Sequence, residues 1–187
     1  MRILQVMAGG AHGGAETAFV DTCIALHEAG AEQHIVTRHH DTRVPRLREA
    51  GLPVTTLPFG GRMDIYTKLA LRRLIHRYRP DIVQSWMSRA ARFVPKAGAQ
   101  DSYSHVARLG NYYKLKYFKT ADAFVAITPM IADYLICNGC APERVRQINN
   151  FAEIDDDARA LTRADFNTPE GAPLLLGLGR LHDDKGF

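Results

Sequence analysis

The sequence predicts an α/β fold with a doubly wound, mostly parallel sheet. Three observations carry that expectation. Short apolar runs of strand character alternate with segments of helical periodicity as far as Ile148. A glycine-rich stretch, Met7-Ala8-Gly9-Gly10-Ala11-His12-Gly13-Gly14-Ala15-Glu16, joins the first strand to the first helix. Gly30, Gly51, Pro80, Gly110 and Gly139 stop successive runs. Such sheets use right-handed crossovers and take their ligands outside the carboxyl ends of the strands.

Taken in order, Ile3-Leu-Gln-Val6 reads as a buried first strand and Ala15 to Ala29 as a helix, with Phe19, Val20, Cys23, Ile24 and His27 at helical spacing. Between them the glycines leave no Cβ atoms in the way, so backbone can approach a ligand closely. The unpaired N–H groups at the helix start face that ligand with the positive end of the dipole. The spacing fits neither a dinucleotide fingerprint nor a P-loop, because no Gly-x-Gly-x-x-Gly and no Gly-Lys-Ser/Thr is present. A plain tight turn with surplus glycine is the alternative.

Gln33 to Thr37 is a second strand, followed by His39-His40-Asp41, which suits a solvated loop better than a metal or catalytic site. Val44 to Ala50 is a short helix and Val54 to Leu57 a third strand. Asp64 caps a helix reaching Arg79, with Ile65, Leu69, Leu71, Leu74, Ile75 and Tyr78 expected on its buried side. Asp81 to Ser85 is a fourth strand, Ser88 to Lys96 a helix limited by Pro95, and His105 to Leu109 a fifth strand. Ala123 to Thr128 follows as a strand, Pro129 opens a helix ending near Gly139, and Val145 to Ile148 is the last strand of the series. The glycine loop, Ser85, Gly110-Asn111, Thr128 and Asn149-Asn150 are thereby expected along the ligand edge.

The 187 residues include 46% hydrophobic ones and form no apolar run near the roughly 18 residues of a membrane span. The N-terminal residues lack the apolar core of a signal peptide, and three cysteines, an odd count, suit reduced thiols. A cytoplasmic setting is expected. Cys137 and Cys140 have metal-knuckle spacing but no second pair to complete a site. The net charge of +4 is unevenly spread: from Arg62 to Lys119 there are 13 Lys and Arg against 3 Asp and Glu, and elsewhere 11 against 17. Beyond Phe151 the chain changes character, with an acidic, linker-like stretch and then an apolar run, Pro173 to Gly179, expected to form a strand.

Gly13-Gly-Ala-Glu16, Asp81-Ile-Val83, Val145-Arg-Gln-Ile-Asn-Asn-Phe151 and above all Gly179-Arg-Leu-His-Asp-Asp-Lys-Gly186 resemble segments of retaining family 4 glycosyltransferases of the GT-B fold. The resemblance implies an N-terminal, Rossmann-like acceptor-side domain over 1–152, a linker over 153–172, and the truncated beginning of a nucleotide-sugar-binding domain over 173–187. It implies hexosyl transfer, with retention, from a nucleotide-sugar to a glycan or lipid-linked acceptor, as in lipopolysaccharide or cell-envelope glycan synthesis. Donor contacts fall on Gly13, Gly14, Glu16, Arg180 and Lys185, the last two matching the cations that hold the donor diphosphate. Two fixed cations suit a leaving group that gains charge, so neither metal nor cofactor is expected. Arg108, Asn111 and Tyr112 are expected on the acceptor side, and no catalytic base is assigned. Leu109-Gly110 stands where many members have His-Gly, and Asp155-Asp-Asp157 is better read as linker or helix start than as a metal motif. With the donor half represented by so few residues, the chain alone is expected to be inactive.

Asn111 to Lys119 mixes aromatic and basic residues. Tyr112, Tyr113, Leu115, Tyr117 and Phe118 are core or half-buried positions in one reading. In another, Lys114, Lys116 and Lys119 join Lys68, Arg72 and Arg73 in a patch for the anionic inner face of the cell membrane. No nucleic-acid motif accompanies them, so a nucleic-acid partner is not expected. The rival to an enzyme is a non-catalytic α/β module engaging an anionic membrane or a protein partner.

Overall fold

The computed structural model describes residues 1–10, 13–61, 63–98, 102–151, 157–175, 177, 179 and 186. It divides into two compact units, Met1–Glu153 and Ile154–Phe187.

The first unit is a parallel sheet of seven strands: β1 (Arg2–Met7), β2 (Glu32–Thr37), β3 (Val54–Thr56), β4 (Ile82–Trp86), β5 (Ser104–Leu109), β6 (Ala123–Ala126) and β7 (Val145–Gln147). Their order is β3-β2-β1-β4-β5-β6-β7, all neighbours parallel. The winding reverses between β1 and β4, and such a reversal opens a crevice at the carboxyl ends of the strands. The helices are α1 (Gly14–Glu28), α2 (Arg43–Glu49), α3 (Ile65–Tyr78), α4 (Met87–Ala91) and α5 (Pro129–Cys137).

Capping follows the sequence. The Asp64 carboxylate accepts the Thr67 N–H at 2.8 Å, and Thr128 accepts that of Ile131 ahead of Pro129 at the first turn of α5. Gly30, Gly51 and Gly139, just past α1, α2 and α5, all hold positive φ, which glycine adopts without a Cβ clash. On one face, Phe19 and Cys23 of α1 and Leu47 of α2 pack on Met7, Ile35 and Trp86. On the other, Leu71 and Ile75 of α3 and Ala90 of α4 pack on Leu4, Val6, Val36 and Val83.

Several expectations are corrected. Ile65 and Leu69 are 66% and 50% exposed, because the buried face of α3 runs through Thr67, Leu71 and Ile75 and these two stand about 200° round the helix from Thr67. Helix α4 stops at Ala91, five residues after Trp86, and gives way to turns leading into Pro95, which disfavours helix at the residue before it. Ser85 is buried within the sheet rather than on the ligand edge. The aromatic segment forms a single 3-10 turn, Leu115–Tyr117, with Phe118 in the core and Tyr113, Leu115 and Tyr117 packed against it. That is the packing reading for all but Tyr112, which is 52% exposed, and the lysines between them are exposed. His39 and Asp41 pair with each other at 3.2 Å in solvent.

A buried polar ladder crosses β4 and β5. Thr120 donates its hydroxyl to the Val94 carbonyl at 3.2 Å, so its oxygen accepts from His105 Nδ1–H at 3.0 Å. His105 Nε2 then accepts from the Ser85 hydroxyl at 2.8 Å. Burial pushes the His105 pKa down to about 4, so the ring is neutral, and both its nitrogens are spent inside this ladder.

In the second unit, Thr162 and Asp165 cap a 3-10 turn, Arg163–Phe166, the Thr162 N–H donating to the carboxylate at 2.8 Å. The strand expected over 173–179 is not formed by its described residues; Pro173 to Leu175 are irregular and Leu175 is 96% exposed. A strand persists only where a neighbour pairs with it.

Candidate functional site

The parallel register sets Thr37, Met7, Trp86 and Arg108 side by side across β2, β1, β4 and β5. Side chains in one row of a parallel sheet share a face. This row lies at the carboxyl ends of its strands, under the N-terminal turn of α1. Above it the chain enters the helix through Gly13 at φ 170°, ψ 162°. The Gly13 carbonyl accepts the N–H groups of both Glu16 and Thr17 at 3.1 Å. The N–H groups of Gly14 and Ala15 find no acceptor among the described residues. They are the orphan donors of the helix start.

Those two residues line a cavity of about 220 Å³ together with Trp86, Met87, Arg108, Gly110, Ile127 and Asn150. Arg108 is its charged member and is only 6% exposed. Its guanidinium lies 4.5 Å from the centre of the Trp86 ring and donates to Asn150 Oδ1 at 2.6 Å. No carboxylate of the described residues pairs with it. Burial alone lowers its pKa from the usual arginine value, the signature of a cation stripped of water without a counter-charge. Such a group is costly unless an anion arrives. The cavity therefore offers two backbone donors at a helix N-terminus and one buried cation, a set suited to phosphate or carboxylate oxygens.

The Trp86 ring is itself fixed. Its indole N–H donates to Gln5 Oε1 at 2.9 Å, Gln5 Nε2 donates to Gln33 Oε1 at 3.3 Å, and Gln33 Nε2 donates to the Cys23 carbonyl at 2.9 Å. Phe19 meets the ring edge-on at 5.2 Å. Met87, next in the chain, holds φ 62°, an uncommon value for a side chain of its size, and lines the cavity.

The glycine loop is clamped from two sides. Glu16 turns back so that its Oε1 accepts the Gly10 N–H at 2.6 Å. Arg43 of α2, 5% exposed, donates to the Gly10 carbonyl at 3.2 Å and to Thr37 Oγ1 at 3.1 Å. A Cβ at Gly13 would sit 2.5 Å from Glu16 Oε2, and one at Gly9, where φ is 54°, 2.8 Å from Arg43 Nη1. By contrast, a Cβ at Gly14 meets nothing within 4 Å and opens on the cavity. Here the glycines serve different ends: two make room for the clamp, and one leaves room for a ligand.

Of the residues expected at the site, Gly14, expected on the donor side, and Arg108, expected on the acceptor side, meet in one cavity, while Gly13 and Glu16 line a smaller recess of about 130 Å³ with Thr17, His40, Thr42 and Arg43. Asn111 and Tyr112 lie outside both: Asn111 Oδ1 accepts the Tyr112 N–H at 2.7 Å, and the Tyr112 ring stacks edge-on against Tyr134 at 5.3 Å. Arg180 and Lys185 fall outside the described residues. Lys68, Arg72, Arg73, Lys114, Lys116 and Lys119 are all exposed. Trp86, Met87 and Arg43 carried no sequence signal of their own. Asn150 was placed on the edge without a role.

Among the described residues no three His, Cys, Asp or Glu side chains are arranged to hold a metal ion, and no helix is long and apolar enough to cross a membrane.

A family model described as Glycosyltransferase Family 4 matches residues 12–156. The chain is 32% identical over 186 residues to the lipopolysaccharide core biosynthesis glycosyltransferase LpsE of Rhizobium meliloti (strain 1021), covering 95% of this chain and 52% of LpsE. It thus spans about half the length of that relative. Among solved structures it is similar to a glycosyltransferase from Rickettsia africae ESF-5, with a TM-score of 0.67 and 15% identity over 92% of this chain and 51% of that one. It is also similar to Anabaena Alr3699/HepE in complex with UDP and glucose, with a TM-score of 0.61 and 17% identity over 80% of this chain and 44% of that one. At these identities the structural likeness shows the α/β, Rossmann-like fold alone.

Proposed function

The chain belongs to glycosyltransferase family 4, and from that premise we propose that it provides the acceptor-side half of an enzyme of lipopolysaccharide synthesis. The enzyme transfers a hexosyl group, with retention, from a nucleotide-sugar to a saccharide acceptor. The observation that carries this reading is the buried Arg108 beneath the N–H groups of Gly14 and Ala15, which among the described residues have neither counter-charge nor acceptor. Departure of a nucleoside diphosphate moves negative charge onto phosphate oxygens, and donors already fixed in place stabilise it without reorganising. In this proposal no metal takes part. The Anabaena protein similar to this chain was solved with UDP and glucose, which supports a uridine nucleotide as the first donor to try. The kinship with a lipopolysaccharide core glycosyltransferase supports a core saccharide as acceptor. A non-catalytic module is not favoured beside the family match.

We place this activity at the inner face of the cell membrane. Met63, Ile65, Tyr66 and Leu69, 50% to 90% exposed, stand at the start of α3 beside Lys68, Arg72 and Arg73, an apolar tip with a basic surround.

The test is transfer of labelled hexose from a panel of uridine nucleotide-sugars to deacylated lipopolysaccharide core by the whole protein that carries these residues. Labelled product is expected. Folded protein that turns over no donor in the panel would refute the proposal.

A further inference from the structure

A second cleft on the carboxyl edge is larger and more strongly charged than the Arg108 cavity. It occupies about 570 Å³ on the α3–α4 face of the sheet. Arg38, one residue beyond β2, Lys68 in the first turns of α3, and Arg89 and Arg92 on and just after α4 all line it. All four are exposed, and none has an ion-pair partner among the described residues. Arg92 lies over the Tyr117 ring at 5.1 Å. The acid nearest the cleft is engaged elsewhere: Asp64 accepts the Gly60 N–H at 2.7 Å as well as the Thr67 N–H and hydroxyl. Those bonds and the Lys68 charge hold its carboxyl below the usual range, so it stays ionised as a cap.

The floor is rigid and aromatic. Phe59 and Phe93, 1% and 8% exposed, meet edge to face at 5.5 Å. Phe59 holds φ 44° and donates its N–H to Thr67 Oγ1 at 3.1 Å, which seats the Phe59–Gly60 backbone on α3.

Four like charges converging on one concavity repel one another until an anion enters, and low-dielectric walls focus their field into it. Three are guanidinium groups, whose planar forks match phosphate and carboxylate oxygens. The buried Phe59–Phe93 pair fixes the shape of the floor rather than offering a ring face. The volume lies within the range of sites for single small ligands, and a concave site of that size fits a saccharide better than a flat bilayer. Helix α4 links the two sites: Met87 at its start lines the Arg108 cavity, and Arg89, two residues on, lines this cleft.

We propose that the Arg38–Lys68–Arg89–Arg92 cleft is an anion subsite for the acceptor, which binds a phosphate- or carboxylate-bearing sugar adjacent to the one glycosylated. The proposal rests on the glycosyltransferase reading for its acceptor and deepens it. It makes the acceptor's charge, and not only its stereochemistry, a determinant of recognition.

Calorimetric titration tests it with glucose 6-phosphate, glucose, inorganic phosphate and phosphatidylglycerol vesicles as probes. Two double variants, Arg89→Gln with Arg92→Gln and Arg38→Gln with Lys68→Gln, alter opposite walls, so either one that folds reports on the cleft. Glucose 6-phosphate is expected to bind at least about tenfold tighter than inorganic phosphate, and each folded double variant to weaken it at least about tenfold. Glucose should not bind, and vesicles should not displace the sugar phosphate. Equal affinity for inorganic phosphate would mean a free-anion site, displacement by vesicles a lipid-headgroup site, and unchanged binding in the variants another location; each overturns the proposal. Transfer to a phosphate-bearing acceptor that both double variants leave intact would overturn the subsite while the glycosyltransferase reading stands. Sugar-phosphate binding at the cleft in a protein that transfers nothing would do the reverse.

Discussion

Replacing Arg108 with methionine removes the buried charge while keeping an unbranched side chain of similar reach. In the free protein the guanidinium gains a hydrogen bond to Asn150 at 2.6 Å and a seat on the Trp86 ring at 4.5 Å. Those are worth about 1.5–3 and about 1–2 kcal/mol respectively. Against them stands the desolvation of an ion that is 6% exposed and has no counter-charge, several kcal/mol in a protein interior. The opposed effects are of similar size, and Asn150 is exposed, so water replaces its lost donor. Stability of the free Arg108→Met protein should therefore change by no more than about 1 kcal/mol. Catalysis should not escape so lightly. Loss of one charge-assisted contact to a developing phosphate charge costs about 1.5–3 kcal/mol, a roughly 10- to 150-fold drop in kcat/KM. Arg108→Lys keeps the charge without the planar fork and should recover only part of it. Urea denaturation and transfer kinetics on the same preparations supply both numbers. An unchanged kcat/KM, or a loss matched by a stability drop beyond about 3 kcal/mol, would refute the reasoning.

Gly14→Val should fold normally, since nothing lies within 4 Å of the new Cβ, yet fill the ligand side of the cavity and lower transfer by about 100-fold; wild-type rates in the folded variant would contradict it. His105, with its pKa near 4 against an ordinary 6.5, takes up its proton first in the unfolded chain, so its contribution is intact above pH 6.5 and is lost as pH falls toward 4. The loss approaches about 3 kcal/mol, and comparing urea midpoints of the protein and His105→Gln at pH 7 and pH 4.5 should show a shallower pH dependence in the variant; equal slopes would remove His105 from the account. Ile65→Ser with Leu69→Ser should leave stability within about 0.5 kcal/mol, as both side chains are largely exposed, while weakening binding to anionic vesicles about tenfold. Vesicle binding that survives both substitutions would place the membrane contact elsewhere.

The alternation of strands and helices, the Asp64 cap, Pro129 at the start of α5 and the glycine loop at the start of α1 were legible because each depends on residues close in sequence. Periodicity also marked Leu71 and Ile75 as core. It did not single out Thr67, a polar residue whose hydroxyl is spent on Asp64; the buried face runs through Thr67, Leu71 and Ile75 and leaves Ile65 and Leu69 on the far side. The partners of Arg108 were beyond local reasoning. Trp86 becomes its neighbour through the parallel register of β4 and β5, and Asn150 comes from beyond the last strand. Asn111 and Tyr112, expected with Arg108 on the acceptor side, do not line the cavity that Arg108 lines. Glu16 shows the opposite limit: its place in the loop was right, but only the structure shows its carboxylate turned back onto Gly10.

The central claim is that the start of α1 and Arg108 together receive the phosphate charge of the donor. Amide and guanidinium NMR resonances report on those groups directly during titration of the whole protein with a uridine nucleotide-sugar and core saccharide. The account predicts that the Gly14 and Ala15 amides and the Arg108 Nε–H shift together and saturably, and that the two amides move far less in Arg108→Met. Saturable shifts confined to other residues, with these three groups unmoved, would contradict it.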